Sequence, residues 1–283
     1  MILKNKIEKV LLNNDISIPL FNELSYPLQE LARNSFYGGR FELIKRGFIG
    51  ECYLYDLNSA YPFALTQLPD ITNGKWFESK SIHPKTQLGF FFIEAYISDK
   101  VKIAPFPFVK KNKTICYPSG KFRTFVTLDE LQMVENDSDI LYKIIESWQF
   151  IPNKNTTYPF KDFIESQYYK RLELKQDNNP LEKAIKIVLN SIYGKMAQRT
   201  NNVIGNLFNP VIASFITGYT RRQLYEFTKQ NKLDNHVVAY ATDSVACQKK
   251  IKDLDSKMLG EMKLDKQADD VIFLSNGFYR FNG

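Results

Sequence analysis

Two aspartates and a row of polar side chains on one helix are where this sequence could do chemistry. Asp56 closes the apolar, aromatic run "YLYD", and Asp243 sits in "HVVAYATDSVAC", which reads as a strand, a tight turn and a second strand. A carboxylate ending such a strand is costly unless it is hydrogen-bonded or metal-bound. Two carboxylates on neighbouring strand ends can bridge two divalent cations, and that pair stabilises the attacking and leaving oxygens of phosphoryl or nucleotidyl transfer. Between them in the chain, Lys183, Lys186, Asn190 and Tyr193 recur at helical spacing and share one face, with Ile185, Val188, Leu189 and Ile192 on the other. A solvated polar face is the simpler reading of a lone Lys-x-x-x-Asn. Here, however, Asn190, Ser191 and Tyr193 run into Gly194, whose missing side chain permits close approach by a flat ligand. The upstream lysines could hold a triphosphate as point charges. Tyr169, Lys170 and Arg171 add a further cationic cluster on the preceding helix.

The elements that must position these groups follow from pattern and punctuation. Residues 50–66 begin as an alternating strand and stop at Pro62, and residues 88–109 are β-rich with prolines that suggest a turn or an edge. "YPSGKFRTFVTLDELQMVEN" reads as a turn, a strand and a helix capped by Thr127, with Glu130 completing the capping box. "YKIIESWQFIP" is a strand. From Tyr158 three helices follow, the last opening at Pro210, and then come the Asp243 hairpin and a final strand pair ending "VIFLSNGFYRFNG". Strands flanking a helical block predict an α+β architecture.

The 283 residues carry a formal charge of +7, which suits a polyanionic partner such as nucleic acid without demanding one. With 44% hydrophobic and 14% aromatic residues the chain can build a packed core. Cys52, Cys116 and Cys247 lack CxxC spacing or a nearby histidine pair, which argues against a zinc site or a disulfide framework and for a reducing compartment. No apolar run reaches membrane-spanning length, and "MILKNKIEKVLLNND" reads as a short amphipathic docking helix rather than a targeting signal.

Three segments in order carry a resemblance. "DLNSAYP" (56–62), "KIVLNSIYG" (186–194) and "ATDS" (241–244) resemble the D-x-x-S-L-Y-P, K-x-x-x-N-S-x-Y-G and D-T-D-S motifs of family B DNA polymerases. "FYGGR" (36–40) is similar to the Y-x-G-G linker of the protein-primed branch of phages and linear plasmids, and "FKDFIESQYYKR" (160–171) to its finger helix. The resemblance implies an antiparallel palm sheet with helices, short helical fingers and a β-rich insertion. It divides the chain into an N-terminal helical segment (1–34), the template-binding linker and first palm part (35–69), an insertion of the kind that meets a terminal protein (70–157), fingers (158–208) and a second palm part (209–283). It also implies the roles. Asp56 and Asp243 would ligate two Mg²⁺ or Mn²⁺ ions with the carbonyl of Leu57. Ser59 would lie beside the nucleotide, and Tyr61 would stack under the sugar and exclude a 2′-hydroxyl. Arg171, Lys183 and Lys186 would hold the dNTP triphosphate, while Asn190, Tyr193 and Gly194 would shape the base-pair pocket. Tyr37, Gly38, Gly39 and Arg40 would touch template DNA, and Thr242, Ser244 and Tyr279 the primer. A phage-infected cytoplasm or a mitochondrial matrix is the implied setting.

The sequence departs from the family at Ala241, which replaces the first acid of D-T-D, and at Gly277, where a lysine of the K-x-Y motif would stand. The expected partners include a protein supplying a thumb or exonuclease, because 36 residues precede Tyr37 and four follow Tyr279. Two outcomes stay open at this point: a DNA-directed DNA polymerase core, or a catalytically degenerate remnant that binds nucleic acid within a larger complex. Elsewhere, His83, His236, Trp76, Trp148 and Phe90–Phe92 read as structural, "KKNK" (110–113) as a solvated turn, and Arg221 and Arg222 as phosphate-contact candidates.

Overall fold

The computed structural model describes residues 4–16, 18–19, 23–200, 203–252 and 254–282. Helices α1 (Lys4–Leu12) and α2 (Tyr26–Asn34) lead into strands β1 (Arg40–Leu43) and β2 (Gly47–Leu57), and then helix α3 (Ala60–Thr66). Next come β3 (Gly74–Glu78), β4 (Leu88–Ile97), β5 (Phe108–Val109), β6 (Ile115–Cys116), β7 (Gly120–Thr127), α4 (Leu128–Gln132) and β8 (Ile140–Pro152). Helices α5 (Lys161–Gln176) and α6 (Leu181–Met196) pair, and β9 (Arg199–Thr200) with β10 (Val203–Ile204) precedes α7 (Pro210–Gln230). The chain closes with β11 (Val237–Thr242), β12 (Ser244–Cys247), β13 (Met262–Ser275) and β14 (Phe278–Asn282).

The expected α+β architecture is what forms. One antiparallel sheet has the order β1-β11-β12-β2-β13-β14, and a second has β3-β8-β4-β7. The first sheet curls: the Asn276 side chain in the β13–β14 turn donates to the Phe41 carbonyl on β1, the opposite edge, at 3.3 Å. Inside the curl Cys52, Val238, Ala246, Val271 and Phe273 form a small core. In the second sheet, period-two alternation sends Phe90 to one core with Phe150 and Phe160, and Phe91, Ile93 and Ala95 to another with Tyr55, Leu224 and Tyr240. The aromatic run therefore packs on both sides of its strand.

Helix α7 is the spine between these layers. Asn209 accepts from the Ile212 N–H at 3.2 Å, and Pro210 occupies the first turn, where its missing N–H costs nothing. Further along, a Cβ on Gly218 would lie 2.3 Å from Thr127 Oγ1, so only glycine lets α7 meet the capped start of α4. The cap forms as the sequence predicts: Glu130 Oε2 accepts the Thr127 N–H at 2.9 Å. One boundary differs. The strand predicted to run to Pro62 ends at Leu57, and Pro62 lies in the first turn of α3, a position proline tolerates.

Candidate active site

Antiparallel pairing puts the two aspartates together. Ser244 on β12 faces Asp56 on β2, so Asp243, one residue before Ser244, lies at the same end of the sheet. The Leu57 N–H donates to the Asp243 carbonyl at 3.0 Å, which locks the two strand ends in register. The hairpin tip is tighter than its sequence suggests. The Asp243 N–H donates to the Ala241 carbonyl at 2.8 Å and Thr242 sits at φ +65°, a three-residue turn rarely adopted by a β-branched residue. Ser244 Oγ donates to the same Ala241 carbonyl at 3.1 Å. Gly39 braces this tip from outside, because a Cβ there would lie 2.8 Å from Thr242 Cα.

Burial raises both carboxyls above the usual aspartate range. Asp243 is pushed up to about 6, first by desolvation and next by the charge on Asp56. Asp56 rises by burial as well, opposed chiefly by Lys263, whose Nζ lies 3.4 Å from Asp56 Oδ2. Two desolvated acids that repel one another make a hard-oxygen pair. It fits Mg²⁺ or Mn²⁺, which bind through one or two carboxylates and take other ligands from water and substrate phosphates.

Beside the pair opens a cavity of about 440 Å³. Asp56, Leu57, Ser59 and Tyr61 line it from the β2–α3 corner, Arg171 and Lys175 from α5, Lys186, Asn190 and Tyr193 from α6, Asp243 from the hairpin, and Lys263 from β13. Ser59 turns that corner in the left-handed region, φ +51°. The Tyr61 and Tyr193 rings stand 4.2 Å apart, so α3 and α6 share an aromatic wall. Arg171 reaches the cavity while held by Glu182, Nε to Oε2 at 3.0 Å. Gly194 is exposed, and a Cβ there would meet nothing within 4 Å.

Other expected site residues fall elsewhere. Lys183 is exposed on α6 and does not line the cavity. Arg40, expected on template, is 2% exposed: its guanidinium is sandwiched between the Tyr117 and Tyr240 rings at 4.0 and 4.3 Å and bonded to Glu42. It fastens β1 rather than meeting a phosphate. Arg221 is likewise buried, its Nε on Glu130 Oε1 at 2.8 Å and its Nη1 on the Gly38 carbonyl. Arg222 is held by Glu226 at 2.7 Å and Asp129 at 3.4 Å. Neither is a free phosphate contact. Tyr37 OH bonds Thr124 Oγ1 at 3.1 Å, so the Tyr-Gly-Gly stretch is tied to the second sheet, to α7 and to the hairpin tip at once. Tyr279 is 43% exposed, stacked on Phe273 at 5.0 Å. Beside it, Gly277 has φ +72° and a virtual Cβ 3.1 Å from Phe41, so this turn as built disfavours a lysine there.

Sequence reasoning missed Lys263, Lys175 and Asn58. Lys263 faces Asp56 across the β2–β13 pair and also donates to Asn58 Oδ1 at 3.0 Å. No motif marks it, since only the strand register brings it to the site. Lys175 lies one helical turn beyond Arg171, a spacing that could have flagged it.

Comparisons with known proteins show the family and the fold. A family model described as DNA polymerase type B, organellar and viral, matches residues 2–209. The chain belongs to that family. A DNA polymerase of Acidianus bottle-shaped virus is 32% identical over 275 residues, a match covering 91% of this chain and 40% of the relative. A DNA-directed DNA polymerase of Enterobacteria phage PRD1 is 24% identical over 290 residues, covering 88% and 50%. Among solved structures, Phi29 DNA polymerase complexed with primer-template DNA and incoming nucleotide superimposes with a TM-score of 0.73 at 20% identity, covering 98% of this chain and 54% of that one. This family B chain thus spans about half, or less, of the length of these relatives, and its fold is that of the Phi29 polymerase over the shared part. Among the described residues no helix is long and apolar enough to cross a membrane.

Proposed function

We propose that this chain carries the nucleotidyl-transfer site of a DNA-directed DNA polymerase of the protein-primed lineage. The observation that carries the reading is the Asp56–Asp243 pair, locked across β2 and β12 and opening onto a cavity lined by Lys186, Arg171 and Asn190. Two Mg²⁺ or Mn²⁺ ions, held by those aspartates with the Leu57 carbonyl, would stabilise the attacking and leaving oxygens. The protein's own groups do the rest. Lys186, Arg171 and Lys175 hold the dNTP triphosphate. Tyr61, backed by Tyr193, stacks under the sugar and leaves no room for a 2′-hydroxyl. Asn190, Tyr193 and Gly194 border the nascent base pair, and the exposure of Gly194 leaves a smooth surface for it. Thr242, Ser244 and Tyr279 lie on the primer side. The Tyr37–Gly39 stretch guides template by holding the hairpin tip in place.

By the same lineage, residues 70–157 form the insertion that meets a terminal protein. The competing reading, a remnant that only binds nucleic acid, draws on Ala241 and Gly277. Primer extension on a primed DNA template with Mg²⁺, and separately Mn²⁺, decides between them. Extension supports the polymerase reading. Template binding at low salt with no extension under either metal supports the remnant.

A further inference from the structure

One cation in the site is unexplained by triphosphate binding alone. Lys263 projects from β13, the strand paired with β2 on the side away from Asp243, and lies directly across from Asp56. Its ammonium is 3.4 Å from Asp56 Oδ2 and 3.0 Å from Asn58 Oδ1, and Asn58 is itself fixed through its Nδ2 to the Ser256 carbonyl at 2.7 Å. This is a built perch. The lysine side chain is 32% exposed and faces the cavity, so it is neither buried structurally nor loose in solvent.

The charge of the site gives the perch its meaning. Asp56 and Asp243 bring two negative charges, and Ala241 offers none. Lys263 and Lys186 bring two positive charges close enough to act on both carboxyls. Asp265 adds a negative charge near Asp56, and of the other lining cations Arg171 is neutralised by Glu182 while Lys175 offsets Asp265. The free site is therefore near neutrality, a poor lure for a divalent ion. An incoming triphosphate reverses that, because its several negative charges attract both the ion and the lysines. A lysine is suited to the exchange: its ammonium is a point charge on a flexible stem and can change acceptors without the fork geometry arginine requires.

We propose that Lys263 is the resident cation of this site. It occupies Asp56 while no divalent ion is bound, and it passes to a phosphate oxygen of the nucleotide when the ion takes Asp56. Ion and nucleotide therefore enter together, and each tightens the other. This rests on the polymerase reading for the identity of the nucleotide but not for the competition between Lys263 and the ion.

The test measures binding rather than turnover. Mn²⁺ affinity of the free protein is read by electron paramagnetic resonance in wild type, Lys263→Met and Lys263→Arg, with circular dichroism confirming the fold of each. Inorganic tripolyphosphate affinity is read in EDTA. We expect Lys263→Met to bind Mn²⁺ about tenfold tighter and tripolyphosphate about fivefold weaker than wild type, with Lys263→Arg near wild type for Mn²⁺. Unchanged or weaker Mn²⁺ binding in Lys263→Met overturns the proposal, as does unchanged tripolyphosphate binding. If both shifts appear and primer extension is absent, the lysine's role stands and the polymerase reading falls. If extension is present and neither shift appears, the reverse holds.

Discussion

Glu130 and Arg221 offer the sharpest test of how the site is held, because their contacts can be counted. Glu130 is 0% exposed and Arg221 2%. One Glu130 oxygen takes Arg221 Nε at 2.8 Å, and the other takes the Thr127 N–H at 2.9 Å and the Thr127 hydroxyl at 3.2 Å. Truncation to alanine strands a buried guanidinium and removes the cap of α4. An uncompensated buried charge costs about 3–5 kcal/mol, and a lost cap about 1 kcal/mol. Since a domain has about 5–15 kcal/mol in all, the milder Glu130→Gln is the better probe. It keeps an acceptor for the cap and loses the charge, for an expected loss of about 2–3 kcal/mol. Arg221→Met should cost as much or more. The double variant, Glu130→Gln with Arg221→Met, should lose far less than the sum, because paired removal leaves no stranded charge. Urea unfolding of the four proteins gives the coupling energy, predicted at about 2 kcal/mol or more. Additive losses would refute the claim that this pair is what joins α4 to α7.

Two further outcomes follow from the hairpin tip. Gly39→Ala drives a methyl to 2.8 Å from Thr242 Cα, so it should destabilise the fold by about 1–3 kcal/mol and weaken primed-template binding in a gel-shift assay, while the equally close-by but open Gly38→Asn should do neither strongly. For Asp243 the sign runs as for any acid whose folded-state value is raised, here from 3.8 to about 6: its ionisation opposes folding, fully above pH 6 and not at all well below 3.8. Asp243→Asn in EDTA should therefore be more stable than wild type at pH 7.5, by at most about 3 kcal/mol, with about a third of that gain left at pH 4.5; equal urea midpoints at pH 7.5 would refute it.

How much was legible depended on whether the signal was local. The α4 capping box, the Pro210 start of α7 and the strand–turn–strand around Asp243 are written in adjacent residues, and each formed as read. Asp56 was legible as a partner for Asp243 because a lone acid at a strand end demands an explanation. The arginines were not. Arg40, Arg221 and Arg222 look like surface cations until Tyr117, Tyr240, Glu130 and Asp129, all distant in sequence, are folded against them. Lys263 was illegible for the converse reason: its place opposite Asp56 depends on the β2–β13 register, which a bulge shifts one residue later, between Leu264 and Lys266. The left-handed Thr242 was also unreadable, since threonine disfavours that conformation and it is held there by the β1 pairing, the bonds to the Ala241 carbonyl and the packed Gly39.

Single-turnover addition of one dNTP to a primed DNA template, with Mg²⁺, is the most direct measurement of whether Asp56 and Asp243 together do the chemistry. Wild type should extend the primer by one nucleotide, and Asp56→Ala and Asp243→Ala should each slow that step by at least about a hundredfold while still binding template. Extension by either variant at the wild-type rate would contradict the assignment and place the reaction elsewhere.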